Sequence, residues 1–267
     1  MKQRGKRYLI GVISSVAEEG ALLIGELKKS RNSKNLRVPV SPRLRVYYGT
    51  IDGYDIVYMI SGMGKTNAAH AATVLIEKYS PDLVVLFGVG GAYPSTGLKV
   101  GDIAVAEEEI YGDEGVLDRE GFHGAEFIGI PLLKRGRKRY FNKFPLDRTL
   151  ASRAAEVSEL ISRHSSPVTA ARSGVFVTVS TCTGTRKRAL ELRKKFDAIC
   201  ENMEGASVAH ICAIYERPMI ELRGISNVVE DRDPSKWNIK LAAENCQRSL
   251  MQLLKKISEG EGNKNQA

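Results

Sequence analysis

A chain of 267 residues, 43% hydrophobic and 27% charged, has the length of one large α/β domain and the make-up of an ordinary soluble globular protein. No apolar stretch reaches the ~18 residues of a membrane span, and the apolar segment after the basic start is too short for a secretory leader, so a cytoplasmic protein is expected. The net charge of +9 would suit nucleic acid, an anionic surface or an acidic small substrate; no nucleic-acid recognition motif accompanies the basic stretches at 31–45, 134–143 and 186–195, which read as solvated surface.

In chain order, strand patterns at 8–14, 56–61, 83–88, 103–106, 174–179, 198–202 and 219–226 are separated by helical patterns at 18–29, 66–78, 150–163, 186–196, 205–215 and 240–257. Such alternation predicts an α/β fold: a central mixed, mainly parallel twisted sheet flanked by helices on both faces. One domain is expected over 1–258, followed by a frayed polar tail at 259–267. From 111 to 147 repeated Gly and Pro break the pattern into a long excursion, the kind of loop that is functional or interface-forming. Its Phe122, Phe127, Ile128 and Ile130 are apolar enough to pack on the body or on a second subunit. Cys182, Cys200, Cys212 and Cys246 form no Cys-x-x-Cys pair, and the histidines do not join them at metal-ligand spacing, so neither disulfides nor a metal site are expected. Cys212 and His210 read as core.

Open α/β sheets bind ligands beyond the carboxyl ends of their strands, which directs attention to 14–19, 62–65, 88–92, 179–184 and 226–233. Gly88-Val-Gly-Gly91 lets backbone approach a flat or anionic ligand, Gly90 included, although a tight turn without ligand would read the same. It is no dinucleotide fingerprint, since Tyr93 and Pro94 interrupt it, and Ser61-Gly-Met-Gly-Lys65 lacks the Walker spacing. Glu18 and Glu19 follow the first strand, where a helix dipole favours carboxylates whether they cap or catalyse. Two charges break apolar surroundings: Glu204 where a strand turns into a helix, and Arg223 inside a strand. Burying even a neutral polar group without a partner costs roughly 2–7 kcal/mol, so both need partners or a polar ligand. A diol would serve both. Asp231, Arg232, Asp233 and Trp237 form either an ordinary polar turn or a lid whose Trp237 stacks on an aromatic substrate.

The segments Ile10-Gly-Val-Ile-Ser-Ser-Val-Ala-Glu-Glu19, Gly88-Val-Gly-Gly91, Leu98-Lys-Val-Gly-Asp102, Ile110-Tyr-Gly-Asp-Glu-Gly115, Ile128-Gly-Ile-Pro-Leu132, Glu201-Asn-Met-Glu-Gly205, Arg223-Gly-Ile-Ser-Asn227 and Asp231-Arg-Asp233 together resemble the nucleoside phosphorylase and nucleosidase superfamily over nearly the whole chain. Within it they are most similar to the futalosine hydrolases of menaquinone biosynthesis. The resemblance implies that Glu19 activates the attacking water, that Met203 and Glu204 bind ribose with Arg223 and Ser226 in support, and that Asn227 faces the purine. Gly90, the backbone around Cys182 and Thr183, and Trp237 complete the expected substrate site. It further implies a small nucleoside as partner, no metal or cofactor, and a homo-oligomer, dimer or higher.

Two departures narrow the chemistry. The similar 5′-methylthioadenosine/S-adenosylhomocysteine nucleosidases have Asp at the position of Asn227 and Glu at that of Asn202; the phosphorylases have an arginine-bearing element after the first strand, which 14–19 lacks. An asparagine offers NH2 to the O6 and N7 acceptors of a 6-oxopurine, and mispairing buried donors and acceptors costs roughly 1–3 kcal/mol per group. Hypoxanthine or guanine is therefore favoured over adenine. The expected reaction is hydrolysis of the N-ribosidic bond of futalosine, with Glu19 as general base, Glu204 beside the developing cation, and Asp231 or Asp233 available to help the base depart. The carboxyphenyl arm would need Phe122, Phe127 or Trp237 and a nearby cation. An adenine thionucleosidase and a 6-oxopurine phosphorylase are the enzymatic alternatives, and a nucleic-acid or nucleoside-sensing module the non-enzymatic one.

Overall fold

The first strand, β1 (Leu9–Ser14), is buried along nearly its whole length, as a strand inside an α/β sheet must be. Its side chains alternate. Ile10 and Val12 join one apolar cluster with Leu23, Val85, Phe87 and Leu250, while Ile13 joins another with Leu75, Val84, Leu86 and Val208. This period of two places one layer of helices on each face in the computed structural model, which describes residues 7–36, 41, 44–162 and 170–262. Helices α1 (Ala21–Lys29), α3 (Arg148–Ser162) and α6 (Ile239–Gly262) cover the first face; α2 (Lys65–Tyr79) and α5 (Gly205–Ile214) cover the second. Helix α4 (Arg186–Phe196) seals a smaller cluster through Ala189 and Leu192.

Strand β1 pairs in parallel with β4 (Tyr54–Ile60) on one side and β5 (Leu83–Ala92) on the other. Beyond β4, the antiparallel β3 (Arg45–Ile51) and β2 (Lys34–Leu36) end the sheet. On the far side β5 pairs in parallel with β14 (Met219–Val228) and, at its C-terminal end, antiparallel with β13 (Ala198–Asn202). Strand β13 lies parallel to β12 (Ala171–Thr178), β12 parallel to β6 (Ile103–Tyr111), and β6 returns antiparallel to β14. Five strands thus close a ring. Closure requires local bends, which bulges supply: the register shifts at Gly174–Val175, at Val175–Phe176 and, beside the candidate site, between Ile225 and Asn227.

The α/β class and its mixed sheet agree with the sequence reading, with four differences of detail. The glycine run 88–91 lies within β5 instead of forming a turn. Helix 18–29 begins as a 3-10 turn, Glu18–Gly20, because the Glu19 carboxylate folds back onto preceding backbone N–H groups. The hairpin β3–β4 was not anticipated, although its Asp52-Gly53 turn, with φ of 48° and 88°, is the strongest short-range hairpin signal. Helix α6 continues to Gly262, past its expected end at 257, and the rest of the expected tail, 263–267, lies outside the described residues.

The excursion resolves into two small hairpins and an edge strand: β7 (Gly115–Asp118) with β8 (Gly121–Gly124), β9 (Leu133–Arg135) with β10 (Lys138–Tyr140), and β11 (Lys143–Pro145) on β6. Asn142 ties it down, accepting from Ala125 N and donating to the carbonyls of Tyr111 and Glu114. Phe122 packs under Lys195 of α4, whereas Leu117, Phe127, Ile128 and Ile130 stay exposed. His210 stacks on Phe144 at 4.5 Å, and Cys212 is buried. Among the described residues no helix is long and apolar enough to cross a membrane.

Helix α6 lies directly on β14 at Gly224, where an added Cβ would stand 2.0 Å from the Ala242 carbonyl oxygen. Backbone cannot yield there unless the helix moves. Gly224→Ala should therefore destabilise the fold by about 1–3 kcal/mol, as overpacking does. Calorimetry would read this as a fall of several degrees in the thermal midpoint, and an unchanged midpoint would show that α6 is not seated on β14 as described.

Candidate active site

The ends of β1, β5, β13 and β14 open on one cavity of about 290 Å³. Glu19, in the 3-10 turn after β1, is buried at its floor. Its Oε2 accepts from the backbone N–H of Ser15 (2.9 Å) and Val16 (3.2 Å), and its Oε1 from that of Val89 (2.9 Å). Burial raises its pKa above the ordinary carboxylate value, opposed by Arg223 and the Val89 N–H and reinforced by Glu204. The result is a carboxylate more basic than usual yet held by fixed donors. Only a glycine at 88 permits this, since a Cβ there would lie 2.6 Å from Glu19 Oε1.

Glu204 stands where β13 passes into α5. Its Oε1 accepts from Gly64 N at 2.9 Å and its Oε2 from Arg223 Nη1 at 3.2 Å. Arg223, 1% exposed, also donates through Nε to Glu221 Oε1 (2.8 Å) and through Nη1 to the Val89 carbonyl (3.2 Å). Burial works against its charge, but Glu221, Glu204 and Glu19 more than offset that and hold the guanidinium protonated above its usual range. Arg223 thus lies behind Glu204 as its counter-ion and does not line the cavity. Met203, next to Glu204, does line it.

At the other end lies Asn227, carried inward by the bulge at Ser226. Ser226 Oγ is 2.8 Å from Asn227 Oδ1 and 3.2 Å from the Gly90 carbonyl, and Asn227 Nδ2 donates to Val228 O at 3.1 Å. A hydroxyl donor on Oδ1 fixes the amide orientation and leaves one Nδ2 hydrogen to face the cavity. Gly90, Cys182 and Thr183 form the adjoining wall. Cys182 Sγ sits 3.2 Å from Met203 Sδ, and burial, with Glu201 beside it, raises its pKa and favours the thiol form. Trp237 closes this end with the Arg232 guanidinium 4.5 Å from its ring centre.

Nine of the ten residues singled out from sequence therefore border one cavity, Glu19, Gly90, Cys182, Thr183, Met203, Glu204, Ser226, Asn227 and Trp237, with Arg223 directly behind. Other residues considered lie outside it. Asp231 accepts from Arg186 N at the start of α4, and Asp233 accepts from Ser235 N and Oγ; both border a neighbouring pocket that shares Thr183, Asn227, Arg232 and Trp237 with this cavity, but do not line the cavity itself. Phe122 and Phe127 do not line it either, because the excursion carries them to α4 and to the surface. Sequence reasoning missed Glu201, whose carboxylate accepts from Thr183 N (2.9 Å), Thr183 Oγ1 (2.6 Å) and Tyr93 Oη (3.0 Å) and so fixes the Thr183 wall. A charge one residue before a strand's end, after an apolar run, was the available signal.

Comparison with known proteins places this geometry in a family. The profile of the phosphorylase superfamily matches residues 9–258. The chain is 33% identical over 204 residues to a futalosine hydrolase of Thermus thermophilus, covering 76% of this chain and 83% of the relative. It is 28% identical over 252 residues to a 5′-methylthioadenosine/S-adenosylhomocysteine nucleosidase of Maridesulfovibrio salexigens, covering 93% and 99%. Among solved structures, the nucleosidase of that name from Neisseria meningitidis in complex with methylthio-immucillin-A superposes with a TM-score of 0.76 at 25% identity, over 93% of this chain and 99% of that one. The chain belongs to the phosphorylase superfamily.

Proposed function

We propose that the protein is an N-glycosyl hydrolase that cleaves the N-ribosidic bond of futalosine, releasing hypoxanthine and dehypoxanthine futalosine. The observation that supports this most is that Glu19, Glu204 and Asn227 all border one nucleoside-sized cavity. Glu204, its two oxygens directed by Gly64 and Arg223, grips the ribose hydroxyls. Glu19 deprotonates a water for attack at the anomeric carbon, and both carboxylates face the positive charge that develops on the sugar. Asn227 turns its one remaining Nδ2 hydrogen to the O6 and N7 edge of the 6-oxopurine, which departs as the anion and takes its proton from solvent.

Three features favour this reading over its rivals. The Ser226 hydroxyl holds Asn227 with its NH2 toward the cavity, which suits O6 and opposes the 6-amino group of adenine. A phosphorylase needs cations for phosphate, whereas Arg223 is committed to Glu204 and Glu221. Finally, the mouth carries the exposed apolar side chains Met63 and Ile239, with Trp237 and Arg232 alongside. These suit an aryl arm ending in a carboxylate, with Arg232 as its cation. The exposed Leu117, Phe127, Ile128 and Ile130 of the excursion are proposed as a contact between subunits.

The direct test is incubation with futalosine, inosine and methylthioadenosine, with and without phosphate. Free hypoxanthine from futalosine, independent of phosphate, is expected; release of adenine alone, or strict dependence on phosphate, would overturn the assignment.

Glu19→Gln should abolish turnover while leaving the thermal midpoint near that of the native protein. Because the Glu19 pKa is raised and the base acts as carboxylate, kcat/KM should fall on the acid side through a pKa above the ordinary carboxylate value. A rate constant flat down to ordinary carboxylate pH would remove Glu19 from this role.

Arg232→Ala should raise KM for futalosine by about tenfold, as loss of a charge-assisted hydrogen bond does. KM for inosine, which has no carboxylate, should scarcely change; equal effects on the two would place the cation elsewhere.

A further inference from the structure

Behind Glu204 the ring of strands encloses two carboxyl groups that the proposed chemistry does not use. Glu109 on β6 and Glu221 on β14 are both fully buried, and they meet beneath the first residue of α5. A Cβ on Gly205 would stand 1.9 Å from Glu109 Oε1 and 2.6 Å from Glu221 Oε2, so only glycine leaves room for the pair. Their other three oxygens are matched. Glu109 Oε2 accepts from Thr178 Oγ1 at 2.7 Å and its Oε1 from Asn202 Nδ2 at 2.6 Å. Glu221 Oε1 accepts from Arg223 Nε at 2.8 Å. Glu221 Oε2 alone has no N–H or O–H donor among the described residues; what it faces is Glu109, within hydrogen-bond reach.

Two acceptors cannot face each other in a dry interior without a proton between them, since like charges there repel strongly. A hydroxyl on Glu109 Oε1 satisfies every group at once. It donates to Glu221 Oε2 and still accepts from Asn202. We propose that Glu109 and Glu221 share a single proton, and that this pair is the positioning element that holds Asn202 and Arg223, and through them the start of α5 and Glu204. Asn202 is the link on one side: its Oδ1 accepts from the backbone N–H of Glu204 (2.9 Å) and Gly205 (2.7 Å). Arg223 is the link on the other, bridging Glu221 and Glu204. The shared proton leaves the pair with one negative charge, which Arg223 offsets. The importance given to Glu204 rests on the nucleosidase reading; the shared proton does not.

The direction of titration agrees. Burial first, and Glu221 next, push Glu109 well above the ordinary carboxylate range; burial also raises Glu221, with Arg223 opposing. The other charged or titratable groups around the pair are Glu204 from the start of α5, Cys200 from β13 and Tyr111 from β6. A proton held in the folded chain but released on unfolding makes stability fall as pH rises from the ordinary carboxylate range to the folded pKa.

The chemistry predicts an asymmetry between two amide substitutions. In Glu221→Gln the side-chain oxygen accepts from Arg223 and the NH2 donates to an ionised Glu109, so every bond is kept at the same total charge. In Glu109→Gln the NH2 that reaches Glu221 also confronts the Asn202 NH2, and that bond is lost. Kinetics on the nucleoside should show Glu221→Gln within about threefold of the native kcat/KM. Glu109→Gln and Glu221→Ala should lose about tenfold or more, mainly in KM, as an unsatisfied buried group implies.

Two substrate-free measurements stand apart from the activity. Infrared spectra at neutral pH should show the carbonyl stretch of a buried protonated carboxyl in the native protein that is missing in Glu221→Gln, and the decline of thermal midpoint with rising pH should flatten in that variant. An identical carboxyl band in both proteins, or Glu221→Gln as impaired as Glu221→Ala, would overturn the proposal. Should Glu221→Ala fail to fold, the spectra and the two glutamine variants decide the matter. A normal spectrum difference with no activity on any nucleoside would instead count against the proposed function alone.

Discussion

A guanidinium sealed inside a strand is the constraint from which the rest of this site follows. Arg223 is 1% exposed, and an unpaired charge there would be untenable. Its partners come from four parts of the chain: Glu221 from its own strand, Glu204 from the start of α5, Asn202 from β13, and the Val89 carbonyl from β5. Breaking a buried pair of this sort costs roughly 3–5 kcal/mol, whereas replacing it with apolar groups of the same shape is often neutral. Stability alone therefore does not explain the cluster. Its consequence is geometric, because one rigid fork sets the spacing between β5, β14 and α5, and so between the two carboxylates that face the cavity.

Such a concentration of charge fits only because β5 has almost no side chains where it passes. A Cβ at Gly88 would meet Glu19 at 2.6 Å and Arg223 at 3.1 Å, and one at Gly91 would meet Val229 at 2.6 Å and Asn227 at 3.3 Å. The strand keeps its hydrogen bonds while yielding its space to side chains from elsewhere. Opposite it, the bulge between Ile225 and Asn227 turns Asn227 toward the same cavity, the usual service of a bulge beside a functional site. The ring closure and the site are thus one arrangement: the register shifts that bend the strands also aim the residues.

Local signals made most of the elements and the main actors legible in the sequence. Arg223 and Glu204 stood out because each broke an apolar pattern, and that alone required partners. What stayed hidden is long-range. Nothing in the spacing of Glu107, Glu108 and Glu109 says that the third is fully buried and the others only half-buried, since closure depends on β14 pairing with both β5 and β6. Glu19 was equally ambiguous: capping and catalysis predict the same residue at the same place, and only the N–H groups of Ser15, Val16 and Val89 reveal that its carboxylate turns inward. The excursion misled for a related reason, because whether Phe122 and Phe127 reach the cavity depends on where two small hairpins fold.

The electrostatics of the cluster bear on how the proposed hydrolysis would be accelerated. Glu19 and Glu204 are held near one another, and their repulsion contributes to the raised pKa of Glu19. In the resting site this repulsion is a cost that Arg223 only partly removes, since the guanidinium lies behind Glu204 and does not line the cavity. A sugar acquiring oxocarbenium character between the two carboxylates supplies the missing positive charge at the moment the bond breaks. Neutral substrate gains little from that field and the transition state gains much, which is the condition for raising the rate instead of merely tightening binding. Because the donors on both carboxylates are backbone amides and a buried arginine, the field is fixed before substrate arrives and little reorganisation is needed during the reaction.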